Sequence, residues 1–265
     1  MAVTVTYDPV LSRMRIVQTG GLTADLADFI RTTDGVNWTT VRGGGNVPLV
    51  GGTEANVSDY EFPAGVPITY RVEKKTSGGA GVAGTSATPI TQELDAVWLK
   101  VPAAPFLNQR VDVADRSEVT RRSRSGLFDV VGRSNPVMVG DVASSIAYTL
   151  SLFTADGAEE SNLDYVFASG EVVFLHLPST VNYLQGGYFA VGDSSRVPVS
   201  MVSTTRRWTV PLTGVAAPGP GVVGSAYTWS SAIAEYATWS ALIAGNATWA
   251  ALLARTGSPS DVIVP

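Results

Sequence analysis

The 265-residue chain has no cysteine. That excludes a thiol nucleophile, a thiolate zinc site and a disulfide framework. It has a single histidine, His176. One imidazole cannot build a multi-histidine metal site, and a Ser–His–Asp triad would have to use it. Charge is scarce: Asp, Glu, Lys and Arg make up 15% of residues, against about 25% in an average soluble domain. Lysine occurs only at Lys74, Lys75 and Lys100, and the other cations are arginine. Uncharged apolar runs are short. The nearest approach to a membrane span, residues 229–254, is broken by Glu235 and by Gly245-Asn246. The first residues, Met-Ala-Val-Thr-Val-Thr-Tyr, alternate like a strand and lack the basic and apolar regions of a secretory signal.

What is abundant is apolar and small. Hydrophobic residues reach 45%, with 27 glycines and 15 prolines, and the net charge is −5. A surface so poor in charge is expected to be covered by other chains. The acidic balance argues against a dedicated nucleic-acid binder. The preference for arginine suits interfaces, where its planar fork pairs bidentately, and suits GC-rich codon usage equally well.

Period-two alternation runs through Val3-Thr4-Val5-Thr6-Tyr7, Met14-Arg15-Ile16-Val17 and Pro67-Ile68-Thr69-Tyr70-Arg71-Val72-Glu73. Asp34-Gly35 before residues 36–42 is a hairpin signal. Residues 24–31 fit a strand with polar outward positions better than two helical turns. Strands at this spacing predict a β-sandwich over residues 1–90. Around Phe62 to Tyr70 the pattern resembles the late strands of fibronectin type III modules, where a tyrosine packs near a sheet corner. Residues 76–89 are small and glycine-rich and read as a linker or long loop.

Residues 91–217 predict a β-barrel or sandwich with one flanking helix. The strands expected are residues 97–101, 111–113, 126–131, 137–139, 146–153, 172–177, 188–191 and 208–212, with a helix over 162–168 capped by Ser161 and stopped at Gly170. The chain therefore reads as mainly β. After Pro218-Gly219-Pro220-Gly221 a ten-residue repeat begins at Thr228-Trp229, Thr238-Trp239 and Thr248-Trp249. Ten residues fall roughly 80° short of three helical turns, so one continuous helix would not align the tryptophans. The segment 218–265 is expected to form short helices, each with Thr as N-cap and with Trp and the residue four further on sharing a face. Those tryptophans either complete a core within the chain or dock on a neighbour.

The chemistry-bearing residues do not form a catalytic pattern. There is no Gly-x-Ser-x-Gly elbow, phosphate loop or dinucleotide fingerprint. His176 reads as an ordinary strand residue. Asp156, Glu159 and Glu160 fit a loop and helix start, and Asp112, Asp115 and Glu118 lack calcium-loop spacing. The expectation is no enzyme, no cofactor and no metal. The one basic run, Arg121, Arg122 and Arg124, suits a solvated loop or a subunit contact better than nucleic acid.

Four stretches carry a family resemblance. They are Trp98-Leu-Lys-Val-Pro-Ala-Ala-Pro-Phe-Leu-Asn108, Arg121-Arg-Ser-Arg-Ser-Gly-Leu-Phe-Asp-Val-Val-Gly-Arg-Ser-Asn-Pro-Val137, Gly186-Gly-Tyr-Phe-Ala-Val-Gly192 and Arg207-Trp-Thr-Val-Pro-Leu-Thr-Gly-Val-Ala-Ala-Pro-Gly219. With the tryptophan repeats and the ending Asp261-Val-Ile-Val-Pro265, they resemble minor tail proteins of siphophages that infect actinobacteria. The resemblance implies a distal-tail or tail-tip component in the virion, assembled in the host cytoplasm. Its partners would be copies of itself, in a hexameric or trimeric ring, and other tail proteins. Arg121, Arg122, Arg124, Trp229, Trp239 and Trp249 are the candidate inter-subunit contacts. The alternative is a module binding host cell-wall glycan or another receptor, with Trp38, Trp98 and Trp208 as stacking platforms.

Overall fold

The computed structural model describes residues 2–219, 222, 236 and 238–245. The protein is mainly β, and its strands include a closed six-stranded barrel. Two compact units form among the described residues: 2–110 with 174–186 and those from 218 on, and 111–173 with 187–217. These units divide the chain differently from the domains expected at 1–90 and 91–217: residues 91–110 and 174–186 group with the N-terminal strands.

The first unit is built on two antiparallel sheets. β1 (Ala2–Asp8), β2 (Arg13–Thr19) and β6 (Ala55–Asp59) form one. The other runs β4 (Thr39–Thr40), β3 (Leu26–Thr32), β7 (Pro67–Lys75) and β8 (Gly81–Ser86), with β5 (Val47–Pro48) on β3 and β9 (Ile90–Thr91) on β7. Alternation sends Met14, Ile16 and Val57 from the first sheet, and Phe29, Ile68, Tyr70 and Val72 from the second, into one core. Burying each large side chain contributes about 1.5–3 kcal/mol. Residues 24–31 thus fall largely in a strand. Residues 81–86, expected as linker or loop, are β8: small side chains give no hydrophobic signal, and backbone pairing to β7 holds them. The strand expected at 36–42 shrinks to Thr39–Thr40. Asp34 Oδ1 accepts the amides of Val36 (2.8 Å) and Asn37 (2.8 Å), which keeps the chain turning.

Two further strands of this unit, β10 (Val97–Lys100) and β16 (Val173–His176), pair antiparallel with Trp98 opposite His176 and Lys100 opposite Phe174. Tyr70 is the tyrosine of the Phe62–Tyr70 pattern. It is buried, and its hydroxyl donates to Asp59 Oδ2 at 2.9 Å. Lys74, an inward position of β7, buries its stem and donates to the carbonyls of Gly20 (2.9 Å), Leu22 (3.1 Å) and Thr53 (3.3 Å). Gly44 is required by close approach: a Cβ there would lie 2.9 Å from Phe29 Cβ.

In the second unit β15 (Ile146–Thr154) pairs with β11 (Gln109–Arg116), β12 (Thr120–Arg121) and β19 (Arg206–Gly214). β17 (Gly187–Val191) and β18 (Ser195–Pro198) also pair with β19. β13 (Ser125–Phe128) and β14 (Val137–Gly140) pair only with each other. α1 (Gly157–Ala168) buries Leu163 and Val166. It begins earlier than the sequence suggests. Asp156, not Ser161, is the N-cap, and its carboxylate accepts the amides of Ala158 and Glu159, both at 2.9 Å. Ser161 lies inside the helix and donates back to the Gly157 carbonyl at 2.8 Å. The helix stops where expected, at Gly170 with φ +67°.

Candidate interaction surface

Arg121, Arg122 and Arg124 gather at the foot of the β13–β14 hairpin. Arg121 Nη1 donates to the Ser144 carbonyl at 3.2 Å. The Arg122 backbone exchanges hydrogen bonds with Ser144 Oγ, at 3.0 and 3.1 Å. Arg124 lies 4.0 Å from Asp141, both well exposed, so that pair contributes about 1 kcal/mol or less. From residue 117 to 143 every residue is exposed except Gly126, which is half-buried.

Register places Leu127 opposite Met138, and Phe128 opposite Val137 with Gly126 opposite Val139. Leu127 and Met138 therefore share one face, and Phe128, Val137 and Val139 share the other. Both faces are apolar and exposed: Leu127 is 70% and Phe128 56% accessible. Residues 126–131 and 137–139 were expected as strands of a barrel or sandwich; 126–128 and 137–139 are strands, but of a separate hairpin whose apolar side chains stay exposed among the described residues. A two-stranded hairpin with no third strand is marginal in water.

A second exposed apolar group lies on the β18–β19 hairpin of the same unit. Val197 and Val199 are exposed, and Met201 (97%) and Val202 (96%) are almost wholly so. Thr204 Oγ1 donates to the Ala155 carbonyl at 3.1 Å, which ties this turn to the start of α1. The helix start is acidic, with Glu159 and Glu160 in its first turn after Asp156. Arg196 bridges Glu160 (3.1 Å) and Asp164 (3.0 Å), and its guanidinium lies 5.2 Å over the Trp208 ring.

Of the tryptophan repeats, Trp239 opens α2 (Trp239–Gly245). Thr238 Oγ1 caps the helix by accepting the Ala241 amide at 3.1 Å. Trp239 and Ile243 are exposed and Leu242 is buried. Trp239 and the residue four further on thus share a face, as expected. Trp229 and Trp249 lie outside the described residues.

The remaining polar groups serve packing. His176 is buried, meets Phe62 edge-on at 4.9 Å and makes no hydrogen bond of good geometry. Burial, and then the nearby Lys100 charge, push its pKa down to about 2, although the Phe62 backbone is close enough to favour the protonated form slightly. Lys100 is buried with its amine on the carbonyls of Ser12 (2.5 Å) and Tyr60 (2.7 Å). Burial lowers its pKa to about 7, with Asp59 and Glu61 resisting. Among the described residues no serine or carboxylate hydrogen-bonds to His176. Among the described residues no three His, Asp or Glu side chains gather closely enough to hold a metal ion. No described helix is long and apolar enough to cross a membrane. A cleft of about 120 Å³ in the second unit is lined by Phe167, Glu171, Val172 and Val191 among others, with Glu171 its one titratable side chain.

Two of the three expected sugar platforms are unavailable as surfaces. Trp98 and Trp208 are buried, and Trp208 donates its Nε1 proton to Thr154 Oγ1 at 3.3 Å. Trp38 is half-buried, with Arg71 5.8 Å over its ring. Sequence reasoning found the arginines but missed Met201 and Val202, which sit in a short turn without periodicity. No protein-family model matches the chain, and no curated protein matches it.

Proposed function

We propose that the protein is a structural subunit of a siphophage tail tip, a distal-tail or minor tail component that joins the tail tube to baseplate or receptor-binding parts. On this reading it acts by assembly rather than catalysis, works in the virion, and has copies of itself and other tail proteins as partners. The observation that carries the reading is the exposed apolar surface of the second unit, gathered on its two hairpins. An isolated soluble chain rarely leaves such groups uncovered, and a symmetric assembly covers them. The scarcity of charge supports the same reading. So does the dispersal of the ionisable groups, which serve caps and core contacts.

Mass spectrometry of purified phage particles, combined with sedimentation velocity of the purified chain, tests this. The expected result is the chain among the virion proteins and a concentration-dependent oligomer in solution. A chain missing from particles and monomeric at every concentration overturns the reading.

A further inference from the structure

The two apolar hairpins of the second unit differ in a way that makes one a donor and the other an acceptor. The β13–β14 arm is apolar on both faces, so lying flat on one surface leaves half of it wet. It is fully covered only between two bodies. Its foot is cationic: residues 116–145 hold five arginines and three acidic residues, in a chain whose net charge is −5. At the β18–β19 turn Arg196 and Arg206 pair with Glu160, which leaves Asp156 and Glu159 as the carboxylates without an arginine partner among the described residues. The turn's apolar residues Val199, Met201 and Val202 stand beside the acidic start of α1, bound to it through Thr204 and Ala155.

We infer that the β13–β14 arm of one copy docks on the β18–β19 turn and α1 start of a second copy of this chain. This rests on the assembly reading above and names its contact. Phe128, Val137 and Val139, the richer apolar face, meet Val199, Met201 and Val202. Arg121, Arg122 and Arg124 meet Asp156 and Glu159 at the start of α1, since Glu160 is held by Arg196 and Arg206 of its own chain. The steering charge is long-ranged and the apolar contact short-ranged, so the arginines set approach and orientation. Donor and acceptor are different surfaces, which makes the contact heterologous. One end copy keeps a free arm and the other a free turn until the series closes into a ring.

The head-to-tail geometry gives a complementation experiment on the full chain. One variant, Phe128→Asp with Val139→Asp, blocks the arm. The other, Met201→Asp with Val202→Asp, blocks the turn. All four side chains are exposed, and circular dichroism checks that both variants fold. By sedimentation velocity, the wild type is expected as a closed oligomer and each variant alone as a monomer. An equimolar mixture should give heterodimers and nothing larger, because it contains one working arm–turn pair. A third variant, Arg121→Glu, Arg122→Glu and Arg124→Glu, should raise the dissociation constant at least tenfold in low salt. Variants that assemble like the wild type, or a mixture that stays monomeric, overturn the arm contact while leaving the assembly reading intact. A monomeric wild type overturns both.

Discussion

His176 meets the edge of Phe62 at 4.9 Å with neither ring nitrogen hydrogen-bonded in good geometry. The only histidine of the chain is therefore held neutral by its surroundings. Its folded pKa is about 2 against an ordinary 6.5, so below pH 6.5 the unfolded chain takes up a proton that the folded chain refuses. Stability should fall as pH drops from 6.5 towards 2, with a limiting slope of about 1.4 kcal/mol per pH unit from this group. Between pH 6.5 and 5 few carboxylates titrate, so His176→Leu should flatten the urea midpoint in that window. An unchanged slope in the variant would sink the assignment.

Lys100 gives the opposite end of the pH curve. Its folded pKa is about 7 against 10.5 in the free side chain. Between those values the unfolded state binds the extra proton, so stability should climb as pH rises from 7 to about 10. Lys100→Met should remove that climb. At pH 7 it should also cost about 1–3 kcal/mol, because the Ser12 and Tyr60 carbonyls lose their donor. Chemical denaturation at pH 7, 8.5 and 9.5 distinguishes the two effects.

Asp59 is the polar hub of the sandwich, accepting from Arg31, from the Tyr70 hydroxyl and from the Glu61 amide. Burial, then the Asp59 charge, push the Tyr70 hydroxyl pKa well above its usual range. Tyr70→Phe should cost about 1–3 kcal/mol by removing one of three donors to a buried carboxylate. Asp59→Ala should cost more, since it strands both Arg31 and Tyr70. A smaller loss for Asp59→Ala than for Tyr70→Phe would contradict the hub role.

Trp208 holds α1 to the second unit, with its ring 5.4 Å from that of Phe167 and its indole proton on Thr154. Trp208→Ala should destabilise that unit by about 3–5 kcal/mol. Asp156→Ala, which removes only the cap, should cost about 1 kcal/mol and speed amide exchange at Ala158 and Glu159. Thermal melts and hydrogen exchange measure the pair.

Much of the fold was legible in the sequence wherever side chains alternate against a core. β1, β2, β7, β15 and β19 stand out because one face of each is apolar. β8 was hidden because Gly81, Ala83 and Gly84 carry no pattern, and an edge strand is held by its backbone bonds to β7. The start of α1 was hidden by Gly157, which reads as loop although Asp156 before it caps the helix. The candidate surface was half legible. Arg121, Arg122 and Arg124 stand out as a basic run. Leu127 and Phe128 read as part of a barrel or sandwich strand, because an apolar strand has the same pattern whether it lies in a core or stands exposed.

Arg42 has one hand on the sandwich and the other on the chain leaving it. Its Nε donates to Glu61 Oε1 at 2.8 Å, while Nη1 donates to the carbonyls of Pro218 and Gly219 at 3.0 and 2.7 Å. Arg42 thus clips residues 218 and 219 to the Glu61 carboxylate, and losing its guanidinium would release both ends of that clip at once.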